Sequence, residues 1–220
     1  NYSVNGTMKA ETMLPFVAQA KWTSTLTSHM LLEGGYSINH YKFYTFNQDF
    51  LAPGAIKKTD SILSTQWNAG DGDTTFDSEL QNYVARFSYV TGSHAFKSGF
   101  QFQNGMSGTV TTRNGDLYQQ YQNGRPFQVT VSNTPIDDTR SNLDGAVGIF
   151  LQDQYTFGRL TVNGGIRYDW LRNSIPEQTS RAGRFVPART FAAVSVPDWK
   201  NWSPRVGLAL DVFGNARTAL

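Results

Sequence analysis

Hydrophobic and polar residues alternate with a period of two along most of this chain, the pattern of strands with two unlike faces. The clearest stretch is 160–170. There Leu160, Val162, Gly164, Ile166, Tyr168 and Trp170 oppose Thr161, Asn163, Gly165, Arg167 and Asp169. Residues 94–104 set Phe96, Phe100 and Phe102 against Lys97, Gln101 and Gln103, and 79–90 set Tyr83, Phe87 and Tyr89 against Asn82, Arg86 and Ser88. Residues 29–41 and 203–212 repeat the alternation, and 17–24 and 146–157 do so less tidily, with Asp153 in phase with Val147, Ile149 and Leu151. That phase places Asp153 at a strand end. The pattern predicts about eight strands of roughly 10–13 residues, longer than the usual strand of a soluble sheet and suited to a tilted bilayer crossing.

The connections alternate between short and long. Short ones fall at 25–28, 91–93, 158–159 and 213–216, and long ones at 44–78, 107–145 and 173–202. Structureless loops longer than about 12–15 residues are uncommon in compact domains. Three of them, each following a hairpin, fit an up-and-down barrel with short periplasmic turns and long extracellular loops. Inside the second long loop, 117–122 and 127–132 flank Asn123-Gly124, which predicts a hairpin with a type I′ turn. The fold class expected is therefore all-β: an antiparallel up-and-down meander forming part of a transmembrane outer-membrane β-barrel.

Composition narrows the function classes. The chain is 14% aromatic and 16% charged, low in charge against about 25% for ordinary globular proteins, as expected where every second strand residue meets lipid. Net charge is +2 with both signs interspersed, so no basic stripe points to nucleic acid. There is no cysteine, which removes disulfides, thiol catalysis and thiolate metal sites. His29, His40 and His94 are far apart, at positions that read as turns or strand ends, and no HExxH or GxSxG motif occurs. Asp71-Gly72-Asp73 lacks the rest of a calcium loop. No catalytic residue, metal or cofactor is expected.

The polar strand positions Arg86, Lys97, Arg167, Asp169 and Arg205 are expected on a wet lumen wall, either lining a substrate path or only solvating the wall. Trp67, Trp199 and Trp202 fall in long loops and are expected either to touch a ligand or to pack within the loops. Trp22, Tyr41, Tyr89, Tyr155 and Trp170 are expected as an interfacial aromatic girdle.

Residues 148–154, Gly-Ile-Phe-Leu-Gln-Asp-Gln, are followed by Leu160-Thr161-Val162 and then Gly165-Ile166-Arg167-Tyr168-Asp169. This resembles a hairpin of TonB-dependent outer-membrane receptors. Residues 183–189 (GRFVPAR) and 196–205 (VPDWKNWSPR) are similar to the Oar-like branch, in which a carboxypeptidase-regulatory-like domain precedes plug and barrel; Gln19–Trp22 and Asn123-Gly124 with Pro126 are similar to it too. The resemblance implies a barrel of about 22 strands around a plug, uptake of a bulky nutrient and energy from the TonB complex through the plug. The expected partners are outer-membrane lipid, that complex and an unknown nutrient. Residues 1–220 are expected to be a fragment of the barrel wall without the plug. The alternative is a self-contained barrel acting as an adhesin or binding module.

Three structural expectations follow. Strands should pair antiparallel in sequence order. Phe96, Phe100, Phe102, Ile166 and Leu208 should be well exposed on a convex side, opposite Arg86, Lys97 and Arg167. The strand at 17–24 should not pair with a stub at 217–220.

Overall fold

The computed structural model describes residues 8–196 and 198–215. Its strands are β1 (Met8–Thr27), β2 (Met30–Asn47), β3 (Lys58–Asp60), β4 (Thr65–Trp67), β5 (Thr74–Thr91), β6 (His94–Thr111), β7 (Leu117–Gln122), β8 (Arg125–Val131), β9 (Asp137–Asp138), β10 (Ser141–Phe157), β11 (Leu160–Ile175), β12 (Gln178–Ser180), β13 (Arg189–Phe191), β14 (Val194–Ser195) and β15 (Trp199–Leu210). Among the described residues no helix is long and apolar enough to cross a membrane.

Seven long strands make one sheet in the order β1-β2-β5-β6-β10-β11-β15, every neighbour antiparallel and every pairing in sequence order. Ser28-His29, Gly92-Ser93 and Gly158-Arg159 link successive strands at one end. Gly92 and Gly158 take φ of 52° and 59°, a left-handed conformation that costs a residue with a Cβ but not glycine. β1 and β15 lie at opposite ends of this order. The stub at 217–220 lies outside the described residues.

Six of the seven long strands hold 16 to 20 residues, more than the alternation predicted, while β15 holds 12. Seventeen residues span roughly 56 Å and, tilted by about 40°, stand some 40 Å tall against an apolar band of about 25 Å. The surplus lies at the long-loop end. There the outward positions turn polar: Lys42 pairs with Asp77 at 2.8 Å and His40 with Glu79 at 3.5 Å. Salt bridges on that face mark where the wall rises out of hydrocarbon, and they also explain why the hydrophobic pattern fades before the strands end. β1 carries Pro15 within a register shift between Met13 and Phe16, the kind of break at which a strand tolerates a residue with no N–H.

The sheet has no dry side. Among the described residues only Ala69 and Leu117 are buried hydrophobics, and both lie in the long connections. Ile166, Leu208 and Phe100 are exposed, Leu208 at 67%, but Phe96 and Phe102 are only half-exposed. The reason is ring packing on the same face: Phe96 stacks on His94 of its own strand and on Tyr89 across the pair, and Phe102 tilts against Tyr83.

Aromatic rings on this face gather in two tiers. Tyr89, His94, Tyr155 and Phe157 sit near the short turns, and Trp22, Tyr36, Tyr83, Tyr168, Trp170 and Trp202 higher up. From Val162, level with Tyr155, to Trp170 is eight residues, about 20 Å along the membrane normal and close to the thickness that paired girdles flank. Tyr41, expected in a girdle, has the opposite parity and tilts against Phe76 on the polar face. Asp153 is inside β10 rather than at its end, with His94 Nδ1 2.6 Å from its Oδ2. His40 likewise lies within β2, not at a strand end.

The facing assignment predicts a difference between positions of opposite parity on β11. Ile166→Arg should cost about 2–4 kcal/mol of folding free energy in a bilayer, while Asn163→Arg should cost close to nothing. Urea titrations of the whole gene product in lipid vesicles measure both.

Candidate functional site: the polar wall and the loops above it

Cross-strand register brings the predicted polar residues together. Glu33, Arg86, Gly99, Phe150, Arg167 and Ser203 lie side by side in one row across six strands. The neighbouring row, toward the short turns, holds Ser88, Lys97, Gln152, Gly165 and Arg205. Asp169 stands in the row on the other side, beside Gly148 and Asn201. All five predicted wall residues therefore share one face within three rows.

The charges on that face do not balance. Arg167 is held by Asp169, with Nη2 2.7 Å and Nε 2.8 Å from the same Oδ1, and Lys21 pairs with Glu33 at 3.1 Å. Arg86, Lys97 and Arg205 form no salt bridge among the described residues, which leaves three cations over. Small residues hollow the surface beneath the long side chains. An added Cβ at Gly148 would stand 2.2 Å from Arg167 Nη2, so the guanidinium lies directly over that glycine. Two depressions meet at Arg167. One of about 520 Å³ runs past Phe150, Gln152, Asn163 and Arg205, and one of about 270 Å³ past Gln101, Gly148, Asp169 and Trp199. A wall of this kind offers polar and anionic groups hydrogen bonds and positive potential with little desolvation to overcome.

The long connections are built, not slack. Within 112–140 the Asn123-Gly124 hairpin forms as predicted, joining β7 to β8, with φ of 49° and 75° at the two turn residues. The connection 48–73 joins it through a second sheet, β4-β3-β7-β8. In that sheet β3 runs parallel to β7, a departure from the antiparallel expectation confined to three residue pairs outside the wall.

Asp60 locks the two connections together. It is 2% exposed, and its carboxylate accepts backbone N–H groups from Ile62, Leu63, Asn123 and Gly124 at 2.7–3.2 Å. Burial works against its ionisation, but the four amides outweigh it and hold the carboxyl below its ordinary 3.8. Trp67 tilts against Tyr121 at 5.1 Å, ring packing between those same two connections. The third connection docks as well: Asn133 Nδ2 donates to the carbonyls of Arg181 and Val186 at 3.2 and 3.0 Å, and Arg184 N–H donates to Asp116 at 3.1 Å.

Trp199 and Trp202 are not loop residues. Both belong to β15: Trp202 lies on the apolar face 4.7 Å from Tyr168, and Trp199 pairs with Leu171 on the polar face. The segment Lys200-Asn201-Trp202-Ser203-Pro204 has polar residues on both faces, which concealed the strand. Asp60, Asp116 and Asn133 went unnoticed in the sequence. Their partners lie up to 68 residues away, and single polar residues in a long connection carry no periodic signal.

A sheet of long antiparallel strands, polar on one face and ringed with aromatics on the other, defines a transmembrane β-barrel wall. The family model described as "TonB dependent receptor-like, beta-barrel" matches residues 13–217, and the chain belongs to that family. It is accordingly a protein of the cell outer membrane. Among solved structures it is similar to the outer membrane transporter YddB from Escherichia coli, at 14% identity and a TM-score of 0.52 over 90% of this chain and 24% of that one. It is also similar to the siderophore receptor PiuA from Acinetobacter baumannii, at 13% identity and a TM-score of 0.49 over 93% of this chain and 30% of that one. The chain thus spans about a quarter of the length of YddB. A search of curated proteins found no match.

The Asp60 lock has a defined pH dependence. A carboxyl lowered in the folded state stabilises the docked loops above its ordinary 3.8, and that contribution is lost as pH falls through the depressed value. Hydrogen-exchange protection at Asn123, Gly124 and Leu63 should persist at pH 5 and fall away well below pH 3.8. Asp60→Asn should reduce it about tenfold or more at pH 5, because the charge is lost and an NH2 donor replaces one of the two accepting oxygens.

Proposed function

We propose that this chain is a section of the barrel wall of a TonB-dependent receptor, with long loops that capture a bulky nutrient outside the cell and a polar wall that lines its path inward. The observation that carries the reading is the sheet itself, which has a cationic, hollowed face, an apolar aromatic face and no dry core. Among the described residues β1 and β15 each pair along one edge only, and this, with the quarter of YddB that the chain spans, supports a section of a larger barrel rather than a self-contained binding module. On this reading the remaining wall and a plug complete the receptor, the plug couples it to the TonB complex, and no step requires a catalytic residue. The motifs at 183–189 and 196–205 favour the Oar-like branch.

Arg86, Lys97 and Arg205 are assigned to the inner path, where they favour acidic groups of whatever passes or docks there, and Arg167 with Asp169 forms a fixed polar fork between the two depressions. Trp199 lines the smaller depression and is the predicted tryptophan best placed to meet a solute.

The test is capture of the whole gene product, from detergent-solubilised outer membranes of the strain that encodes it, on the immobilised periplasmic domain of that strain's TonB. Retention on TonB, and its loss when the plug-coding region is deleted, is the expected result. A product that leaves the outer-membrane fraction, or is never retained, contradicts the proposal.

A further inference from the structure

Between the connections 112–140 and 176–198 lies a polar recess of about 430 Å³, lined by Asp73, Arg113, Asp116, Thr134, Arg181 and Gly183. Two kinds of group meet there. The first is a pair of acceptors. A Cβ built on Gly183, which lines the recess, would stand 2.5 Å from Asn133 Oδ1 and 2.8 Å from Asp116 Oδ2, so both oxygens border the same small space at its edge. The Asn133 amide is oriented by its Nδ2, which donates to the Arg181, Val186 and Pro187 carbonyls. Its Oδ1 is then left buried with no donor among the described residues. Two acceptors, one of them a carboxylate, facing one gap call for a cationic donor between them.

The second kind is guanidinium. Arg113 lies over the Tyr118 ring at 4.6 Å, and its Nε is buried with no acceptor among the described residues. Arg181 lines the same recess. A buried guanidinium N–H without a partner is costly until a carboxylate or similar acceptor reaches it.

We propose that the recess binds a small zwitterion of amino-acid type, such as a short peptide with both termini free. Its ammonium group sits against Asp116 and Asn133 Oδ1, and its carboxylate against Arg113 and Arg181. The inference rests on the reading above that these loops face the outside and capture the nutrient, and it names the class of nutrient. Docking of the three long connections holds the backbone of the recess before a ligand arrives, and binding then orders only the side chains that uncover Asn133 Oδ1 and Arg113 Nε to it.

The test uses the whole gene product in nanodiscs, titrated calorimetrically with alanyl-alanine, its N-acetyl derivative and its C-terminal amide. Alanyl-alanine should bind, and each blocked form should bind about tenfold or more weakly. Asp116→Asn should abolish the preference over the N-acetyl form, because the ammonium no longer meets a charge. Asparagine tolerates the φ of 57° at this position and keeps an acceptor for Arg184 N–H. Arg113→Gln should abolish the preference over the amide. Both variants should keep the heat-modifiable gel mobility of a folded barrel.

Equal binding of all three compounds, or no binding of alanyl-alanine at millimolar concentration, overturns the inference. Labelling of Arg125→Cys by an impermeant maleimide on intact cells, counted above the background of the unsubstituted gene product, separates the two readings. If Arg125→Cys is not labelled, the loops do not face outward and both readings fall. If it is labelled and alanyl-alanine does not bind, only the zwitterion site falls.

Discussion

In hydrocarbon a backbone N–H or C=O without a partner costs several kcal/mol, and the rest of this architecture follows from meeting that requirement with strands. Long antiparallel pairing satisfies each peptide group through its neighbour, so the wall can be one layer thick. A single layer has no interior. Its side chains must then serve two solvents at once, and the period of two is the only arrangement that lets them. That is why Ile166 and Arg167, adjacent in sequence, face lipid and water respectively.

The same constraint sets the vertical plan. Where the outward face meets hydrocarbon it carries Leu32, Phe87, Phe100, Ile149 and Leu151. Where it leaves the bilayer it carries Lys42–Asp77 and His40–Glu79 pairs, because a charge there keeps its water. Rings with a polar edge mark the two levels between. On the other face the wall is free to be charged, and small residues such as Gly148 and Gly99 let Arg167 and Phe150 lie flat across neighbouring strands. Above the wall the connections lose the sheet's support and replace it with their own: the β4-β3-β7-β8 sheet, the Asp60 lock and the Asn133 contacts make the three connections one cap.

Much of this was legible in the chain because alternation is a local signal. Residues 160–170 announce β11, and 94–104 announce β6, through side chains two apart; the Asn123-Gly124 turn is announced by two residues alone. The placement of Arg86, Lys97, Arg167, Asp169 and Arg205 on one face follows from the same parity. Strand ends were not legible where the alternation breaks down, as in the upper halves of β2 and β5, where Tyr41, Phe43, Phe76 and Leu80 take the inward parity and Lys42, Asp77 and Glu79 the outward one, and at the start of β15, where both faces carry polar residues. That is how Trp199 and Trp202 came to be read as loop residues. The contacts that fix the cap are invisible to a local pattern, since Asp60 and Gly124 or Asp116 and Arg184 are brought together only by the folded wall beneath them.

The central claim is that successive residues of a wall strand face lipid and water in turn. Spin labels placed singly at each position from 160 to 170 in the membrane-inserted whole gene product test it most directly, by comparing relaxation by oxygen, which partitions into lipid, with relaxation by a water-soluble nickel chelate. The account predicts a period of two, with oxygen dominant at 162, 164, 166 and 168 and nickel dominant at 163, 165, 167 and 169. Accessibility without that period, or with its phase reversed, would contradict it.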